Sequence, residues 1–216
     1  MKENNMVKYD FLKSNHDWDS VLTDSRASVN KEALNKEPST TFKKKILLAE
    51  HSVIRDIIIR WKWIEMPYYI AMHWVRHVFQ KVVSTQRNDR QDKYDRKKAF
   101  QDVPVTFTGT ANTQNLIDAF RKRLCRQALA ETREYAVDFK ARLHDIEPEI
   151  SEVLVPHCVY RGQCQEINNC GWYEAFLARH PEIDVHTSLQ QRYDIYNKEF
   201  YEKHSYIVET ENNENG

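Results

Sequence analysis

Ile58-Ile59-Arg60-Trp61-Lys62-Trp63-Ile64-Glu65-Met66 runs directly into Pro67-Tyr68-Tyr69-Ile70-Ala71-Met72-His73-Trp74-Val75-Arg76-His77-Val78. The first run is β-branched and aromatic. It places Trp61 and Trp63 on one face and Arg60, Lys62 and Ile64 on the other, which predicts a strand over Ile58–Met66. Pro67 fits the first turn of a helix, where its missing N–H costs nothing and its fixed φ is already helical. A helix is expected from there to about Val83.

Upstream, Phe42, Ile46, Leu47, Ala49, Val53, Ile54 and Ile57 recur at helical spacing. They predict a helix from Phe42 to about Ile59, with its N-cap from Ser39-Thr40-Thr41. Residues 1–40 are polar, with isolated anchors at Phe11, Trp18, Val21 and Leu22. Downstream, residues 84–98 lack an apolar period and read as a polar loop. Val103–Thr110 reads as extended. A long helix is expected over about Thr113–Leu143, with Leu116, Phe120, Leu124, Val137 and Phe139 inward. Shorter helices follow over Glu149–Val155, Asn168–Arg179 (ended by Pro181) and Thr187–Phe200. The fold class is α+β, mostly helical with few strands. One domain is expected over 1–208, followed by a polar tail, 209–216, with the composition of a disordered segment.

Composition narrows the function. The chain has 216 residues, 41% apolar and 30% charged, which suits a soluble globular protein with one large core. Lys plus Arg and Asp plus Glu are both 32, so no overall basic field attracts nucleic acid or an anionic membrane. Any anion site must be a local cluster. Only 4 Gly are present, and neither the dinucleotide fingerprint G-x-G-x-x-G nor a P-loop occurs. A nucleotide would have to be held by side chains and helix ends. Met1-Lys2-Glu3-Asn4-Asn5 is polar, and no run is apolar enough to span a bilayer. An intracellular, cytoplasmic location without a membrane partner is expected.

Several residues can carry chemistry. His73 and His77 are four apart and would share a face of the expected helix, with Arg76 close to both. A zincin needs H-E-x-x-H, and Trp74 stands where the Glu belongs. Two packed or capped histidines are the other reading. Arg76, Arg87, Arg90 and Arg179 are candidate phosphate ligands, because guanidinium grips phosphate bidentately at all working pH values. Ser84-Thr85-Gln86-Arg87-Asn88 offers small donors beside an Arg. Arg121-Lys122-Arg123 and Arg126 form a basic strip that reads as a solvated helix face. Cys125 and the run Cys158-x5-Cys164-x5-Cys170 lack the close pairing of a zinc knuckle. They read as reduced, structural thiols and no metal is expected; a metal site with Cys125 as fourth ligand is the alternative.

Further segments complete an ordered set. They are Asp24-Ser25-Arg26-Ala27-Ser28, Glu50-His51-Ser52-Val53-Ile54-Arg55-Asp56, Arg76-His77-Val78 and Thr85-Gln86-Arg87-Asn88. Later come Leu154-Val155-Pro156 with Tyr160, Asn168, Phe176-Leu177-Ala178-Arg179, His186 and Gln190-Gln191. In this order they resemble the motifs of the flavin-dependent thymidylate synthases, the ThyX family, over nearly the whole chain. The family's segments are A-A-R-x-S, a S/T-V-L-E-H-like stretch, R-H-R-x7-S, S-x-R-Y, L-P-x-x-x-Y and F-L-x-x-R.

The resemblance implies a mostly helical fold with a small antiparallel sheet and a homotetramer with sites between subunits. It implies methylation of dUMP at carbon 5 to give dTMP, with methylenetetrahydrofolate as carbon donor, FAD as hydride donor and NADPH as reductant, and no cysteine nucleophile. By match, Ser28, His51, Arg76, His77, Asn168 and His186 would contact FAD or shape its pocket. Arg76, Thr85, Gln86, Arg87 and Arg179 would hold the nucleotide, His73 stands where the family has a Gln that touches it, and Arg179 and His51 are the catalytic candidates. The sequence also departs from the family. Val78 replaces the third signature Arg, Asn88 replaces a Tyr, and the Arg76–Arg87 spacing is about one residue short. Glu152 stands where the family has a nucleotide-binding Arg. A carboxylate suits an exocyclic amine better than a carbonyl. Glu152 therefore raises dCMP, with methyl or hydroxymethyl transfer, as an alternative substrate, unless a neighbour such as Arg161 replaces the lost charge. A nucleotide-binding protein that has lost turnover is the third reading.

Overall fold

The computed structural model describes residues 7–87, 89–90, 95–184, 189–205 and 207. Four antiparallel strands form one sheet in the order β1-β2-β4-β3: β1 Lys8–Ser14, β2 Ile58–Pro67, β3 Gln80–Val83 and β4 Pro104–Asn112. The helices are α1 Trp18–Ala27, α2 Thr40–Leu48, α3 Tyr68–Trp74, α4 Thr113–Arg123, α5 Ala130–Ile146, α6 Pro148–Val153, α7 His157–Arg161, α8 Trp172–Arg179 and α9 Leu189–His204. A 3₁₀ turn spans Ser52–Asp56.

The alternation of β2 sets the core. Ile59, Trp61 and Trp63 are fully buried, while Arg60, Lys62 and Ile64 face outward. Trp61 meets Phe139 edge-on at 5.1 Å and Phe79 at 5.3 Å; Trp63 lies 5.0 Å from Trp74. Aromatic pairs of this kind contribute about 0.5–1.5 kcal/mol each beyond burial. Opposite Trp61 stands Gly109, where a Cβ would come within 2.2 Å of the indole. The close approach of sheet and ring therefore requires glycine at that position. Pro67 caps α3, and the amides of Tyr68 and Tyr69 donate to the carbonyls of Val103 and Gln101. The start of α3 is thus tied to the segment entering β4.

Several expected helices are interrupted. The helix from Pro67 ends at Trp74, and the chain turns through Val75–Phe79 into β3. Val75, Val78, Val82 and Val83 lose rotamer freedom in a helix and suit an extended chain. Phe79 also fills the core beside Trp61. His73 and His77 consequently do not share a helix face. The helix expected over 42–59 breaks at Glu50, which has φ 48°. The helix expected over 113–143 is α4 and α5, joined at an elbow, 124–129. Arg133 closes this elbow by donating to the carbonyls of Arg126 and Ala128. The helix expected from Asn168 starts at Trp172, after Gly171 at φ 71°. Strand β1 and helices α1 and α7 carried no clear period in the sequence.

At the α5–α6 junction, buried Glu147 accepts from Ser14 Oγ (2.6 Å) and Trp18 Nε1 (2.9 Å) and pairs with His16 Nδ1 (2.7 Å). The N-terminal elements are fastened to the helical layer there. The tail 209–216 lies outside the described residues. Among the described residues, no helix is long and apolar enough to cross a membrane.

Candidate functional site

The turn after α3, the C-terminus of α4 and the first turn of α5 converge on one cationic cluster. Arg123 ends α4, where a cation offsets the negative pole of the helix. Its Nε donates to His77 Nε2 at 2.6 Å. His73 Nδ1 lies 2.7 Å from Thr132 Oγ1 of α5. Arg76 is exposed and has no hydrogen-bonding or ionic partner among the described residues. Burial, then Arg123 and Lys81, push the His77 imidazole down to about 4. Burial, then Arg123 and Arg76, lower His73 in the same direction. Both rings are neutral at pH 7, and His77 accepts through Nε2, which leaves its proton on Nδ1. Among the described residues, no carboxylate is among the charges that shift His73, His77 or Arg123.

That donor set suits an anion. Two guanidiniums crowd one another, with Arg123 lowered by burial and then by Arg76, and a phosphate between them would relieve the repulsion. Arg123 lies in a basic strip whose sequence resembles a solvated face, and the structure instead sets it against His77. Arg121 also departs from that reading. It is buried, stacks 3.5 Å above the Tyr160 ring and pairs with Glu50.

A groove of about 920 Å³ lies between α5, α8 and α9 and includes Leu124 and Arg126 of the elbow, a size that accepts a small molecule. Trp172, Tyr196 and Phe200 give it an aromatic wall; Arg126, Arg133 and Arg179 give it cations. Arg179 is clamped by Glu199, with Nε–Oε1 at 3.0 Å and Nη2–Oε2 at 2.9 Å, while Nη1 donates to the Ala175 carbonyl at 3.0 Å. His180 Nε2 reaches the same Glu199 at 2.6 Å. Burial raises the Glu199 carboxyl, but hydrogen bonds from Arg179 and His180 outweigh it and the net direction is down. Guanidinium has five N–H groups, so two on Arg179 remain for a ligand.

The other expected site residues lie apart within one chain. Thr85, Gln86 and Arg87 follow β3 at the end away from His77, with roughly 13 Å of strand between. Arg87 pairs with Asp89, and that hydrogen bond holds the Asp89 carboxyl below its usual range. Glu152 pairs with Lys44 at 2.8 Å, and its carbonyl accepts from Asn197 of α9. Arg161 instead donates to His157. Asn197 and Glu199 are two residues apart on α9, about 200° around the axis, so Glu152 and Arg179 meet opposite faces of that helix. Ser28 caps the end of α1, and exposed His51 precedes the 3₁₀ turn. Asn168 is exposed in the α7–α8 loop, its carbonyl accepting from Gln127. Asn88 and His186 lie outside the described residues. Burial pushes Cys158 up to about 12 and raises Cys125. Neither thiol has the lowered pKa of an activated nucleophile.

No family model matches this sequence, and no curated protein does. Solved structures do match. One is a UMP/dUMP methylase, PolB, from Streptomyces cacaoi, bound with 5-Br dUMP: TM-score 0.53, 11% identity, covering 68% of this chain and 93% of that one. Another is the flavin-dependent thymidylate synthase ThyX from Helicobacter pylori, complexed with FAD and dUMP: TM-score 0.54, 12% identity, covering 68% of this chain and 97% of that one. The chain has a ThyX-like α+β fold.

Proposed function

We propose that this chain is a divergent flavin-dependent thymidylate synthase. It transfers a one-carbon unit from methylenetetrahydrofolate to carbon 5 of dUMP. Bound FAD, reduced by NADPH, supplies the hydride. The carrying observation is the cluster of Arg76, Arg123, His73 and His77, where Arg123 is bonded to His77 and, among the described residues, no carboxylate shifts the histidines or Arg123. Such a donor set fits the diphosphate of a dinucleotide or the phosphate of dUMP. The shared fold supports the reading, since those proteins are described with FAD, dUMP or its bromo analogue.

Each residue then has a physical task. Arg76 and Arg123 hold phosphate by charge, and His73 and His77 fix its orientation as neutral hydrogen-bonding groups. Arg179, set by Glu199, presents its unspent N–H groups where charge grows on the pyrimidine carbonyls as carbon 5 becomes nucleophilic. Thr85, Gln86 and Arg87 complete the nucleotide site, and Ser28, His51, Asn168 and His186 the flavin site, from neighbouring subunits of a homotetramer. The separation of Thr85, Gln86 and Arg87 from His77 along β3 supports this assembly. Exposed Val78 and Val82, 81% and 63% accessible beside the β3 edge, offer an apolar contact. Glu152 is spent on Lys44, so the reading stays with dUMP, and dCMP is the control substrate.

An absorbance spectrum of the purified protein, followed by titration with dUMP and dCMP, tests this. A flavin spectrum perturbed by dUMP, with dTMP formed when NADPH and methylenetetrahydrofolate are added, is expected. No flavin bound after incubation with FAD overturns it and leaves a non-catalytic nucleotide-binding protein. Turnover of dCMP without dUMP overturns the substrate.

A further inference from the structure

The chain has 4 cysteines, and the fold brings all of them to one place. Cys125 lies in the elbow after α4, Cys158 is in α7, and Cys164 and Cys170 come from the loop between α7 and α8. Together they line one small, partly open cavity, with His157 and Glu166 beside them and Cys170 at its exposed rim. The cavity is about 10 Å³, room for about one water-sized sphere. That room suits one ion.

The loop around them has little else to hold it. It has no regular secondary structure, most of its residues are exposed, and Ile167 is fully accessible. Gly162 and Gly171 bound it with φ of 76° and 71°, so each end turns sharply, as only glycine does freely. Lys122 of α4 pairs with Glu166, Gln127 of the elbow donates to the Asn168 carbonyl, and Asn169 bonds Glu174 and the Gly171 amide, all of them exposed. Exposed pairs of this kind contribute about 0–1 kcal/mol. The least exposed side chains of this ten-residue irregular segment are Cys164 and Glu166, with Cys170 at the surface, so it has no packed apolar face to order it.

We propose that Cys125, Cys158, Cys164 and Cys170 bind one zinc ion as a closed four-thiolate structural site. Four thiolates fill the tetrahedral shell of zinc and leave no open position, which assigns the ion a structural and not a catalytic task. Each ligating thiol gives its proton to solvent, and no electron moves. The bound unit carries two net negative charges. Arg126 borders the same cavity, and Lys122, Arg161 and Arg121 act electrostatically on His157 at its edge. These cations offset that charge and that of Glu166. Among the described residues, no three His, Cys, Asp or Glu side chains stand at ligating geometry. Binding therefore draws the thiols inward to about 2.3 Å from the ion, by rotation about their Cα–Cβ bonds and closure of the Gly162–Gly171 loop. Cys125 stands between Arg123 of the cationic cluster and Arg126 of the groove, so the ion would pin the elbow that carries both.

Metal analysis of the full chain, purified with reductant and without chelator, tests the site. The expected content is about one zinc per chain, with all four thiols slow to alkylate until a chelator is added. Replacement by cobalt should give thiolate-to-metal charge transfer and intense tetrahedral d–d bands, and Cys164→Ser should lose them. The wild-type cobalt titration decides the matter even if that variant does not fold. Four freely reactive thiols after incubation with zinc overturn the proposal. So do disulfides found by mass spectrometry, or iron with inorganic sulfide in place of zinc.

Discussion

Arg123 and His77 define one another across 2.6 Å. The guanidinium keeps the imidazole neutral, and the imidazole fixes which way the guanidinium points. Arg123→Ala should remove both effects. The His77 pKa should rise from about 4 but stop short of its ordinary value, because burial remains; an NMR titration reads this directly. Losing a hydrogen bond to a charged group costs about 1.5–3 kcal/mol, so phosphate or dUMP affinity should fall by roughly tenfold or more. An unchanged affinity would remove Arg123 from the anion site. Arg179 permits a second test. It is held by Glu199 before any ligand arrives, so Arg179→Ala should weaken dUMP binding and abolish turnover with the flavin still bound. Full turnover in that variant would place the pyrimidine elsewhere. The family resemblance proposes Arg179 and His77, and His73 stands in for a family Gln; the helix face expected to join the two histidines does not form. The sequence did not reveal Arg123, which lies 46 residues from His77 within an ordinary-looking basic strip.

At the scale of elements, the central strand was legible because its signal is local. Trp61 and Trp63 alternate with charged residues, and tertiary packing agrees with the period. The interrupted helices were not legible, because each break is imposed by distant partners. Val75–Phe79 leaves helix geometry so that Phe79 can reach Trp61 and Val83 can pair opposite Phe107. The α4–α5 elbow exists because both helices pack on the same aromatic core, with Phe120 and Phe139 at 4.9 Å. Gly109 shows how tight that core is. Gly109→Ala would drive a methyl group into the Trp61 indole, and overpacking of this kind costs about 1–3 kcal/mol. The expected result is a lower Tm with the near-ultraviolet signal of the tryptophans altered. A Tm equal to wild type would mean that the sheet and Trp61 are not in contact as described.

For the whole molecule, charge balance conceals an uneven distribution. The net charge is zero, yet the site cluster is cationic and its histidines are held neutral. The candidate site was legible as a set of residue types and not as a place. Thr85 and Arg87 are local matches and Glu152 a local departure, and where each of them lies depends on β3, α6 and α9 folding back. The neutral histidines have a global consequence. His77 and His204 are each pushed down to about 4 from an ordinary 6.5, His77 by burial and then Arg123, His204 by burial and then Lys203. Between those values the unfolded chain takes up protons that the folded chain refuses. Stability therefore rises with pH across that window. It is fully present above about 6.5, falls as pH drops toward 4, and loses nothing more from these two groups below that. Denaturant midpoints measured at closely spaced pH values should show this slope well above the range where carboxylates titrate. His204→Phe keeps the ring contact with Phe200, which lies 4.7 Å away, and removes one titrating group, so the slope should flatten. A midpoint constant from neutral pH down to the carboxylate range would mean that these imidazoles are solvated and titrate normally, and that the cluster around His77 is open to water.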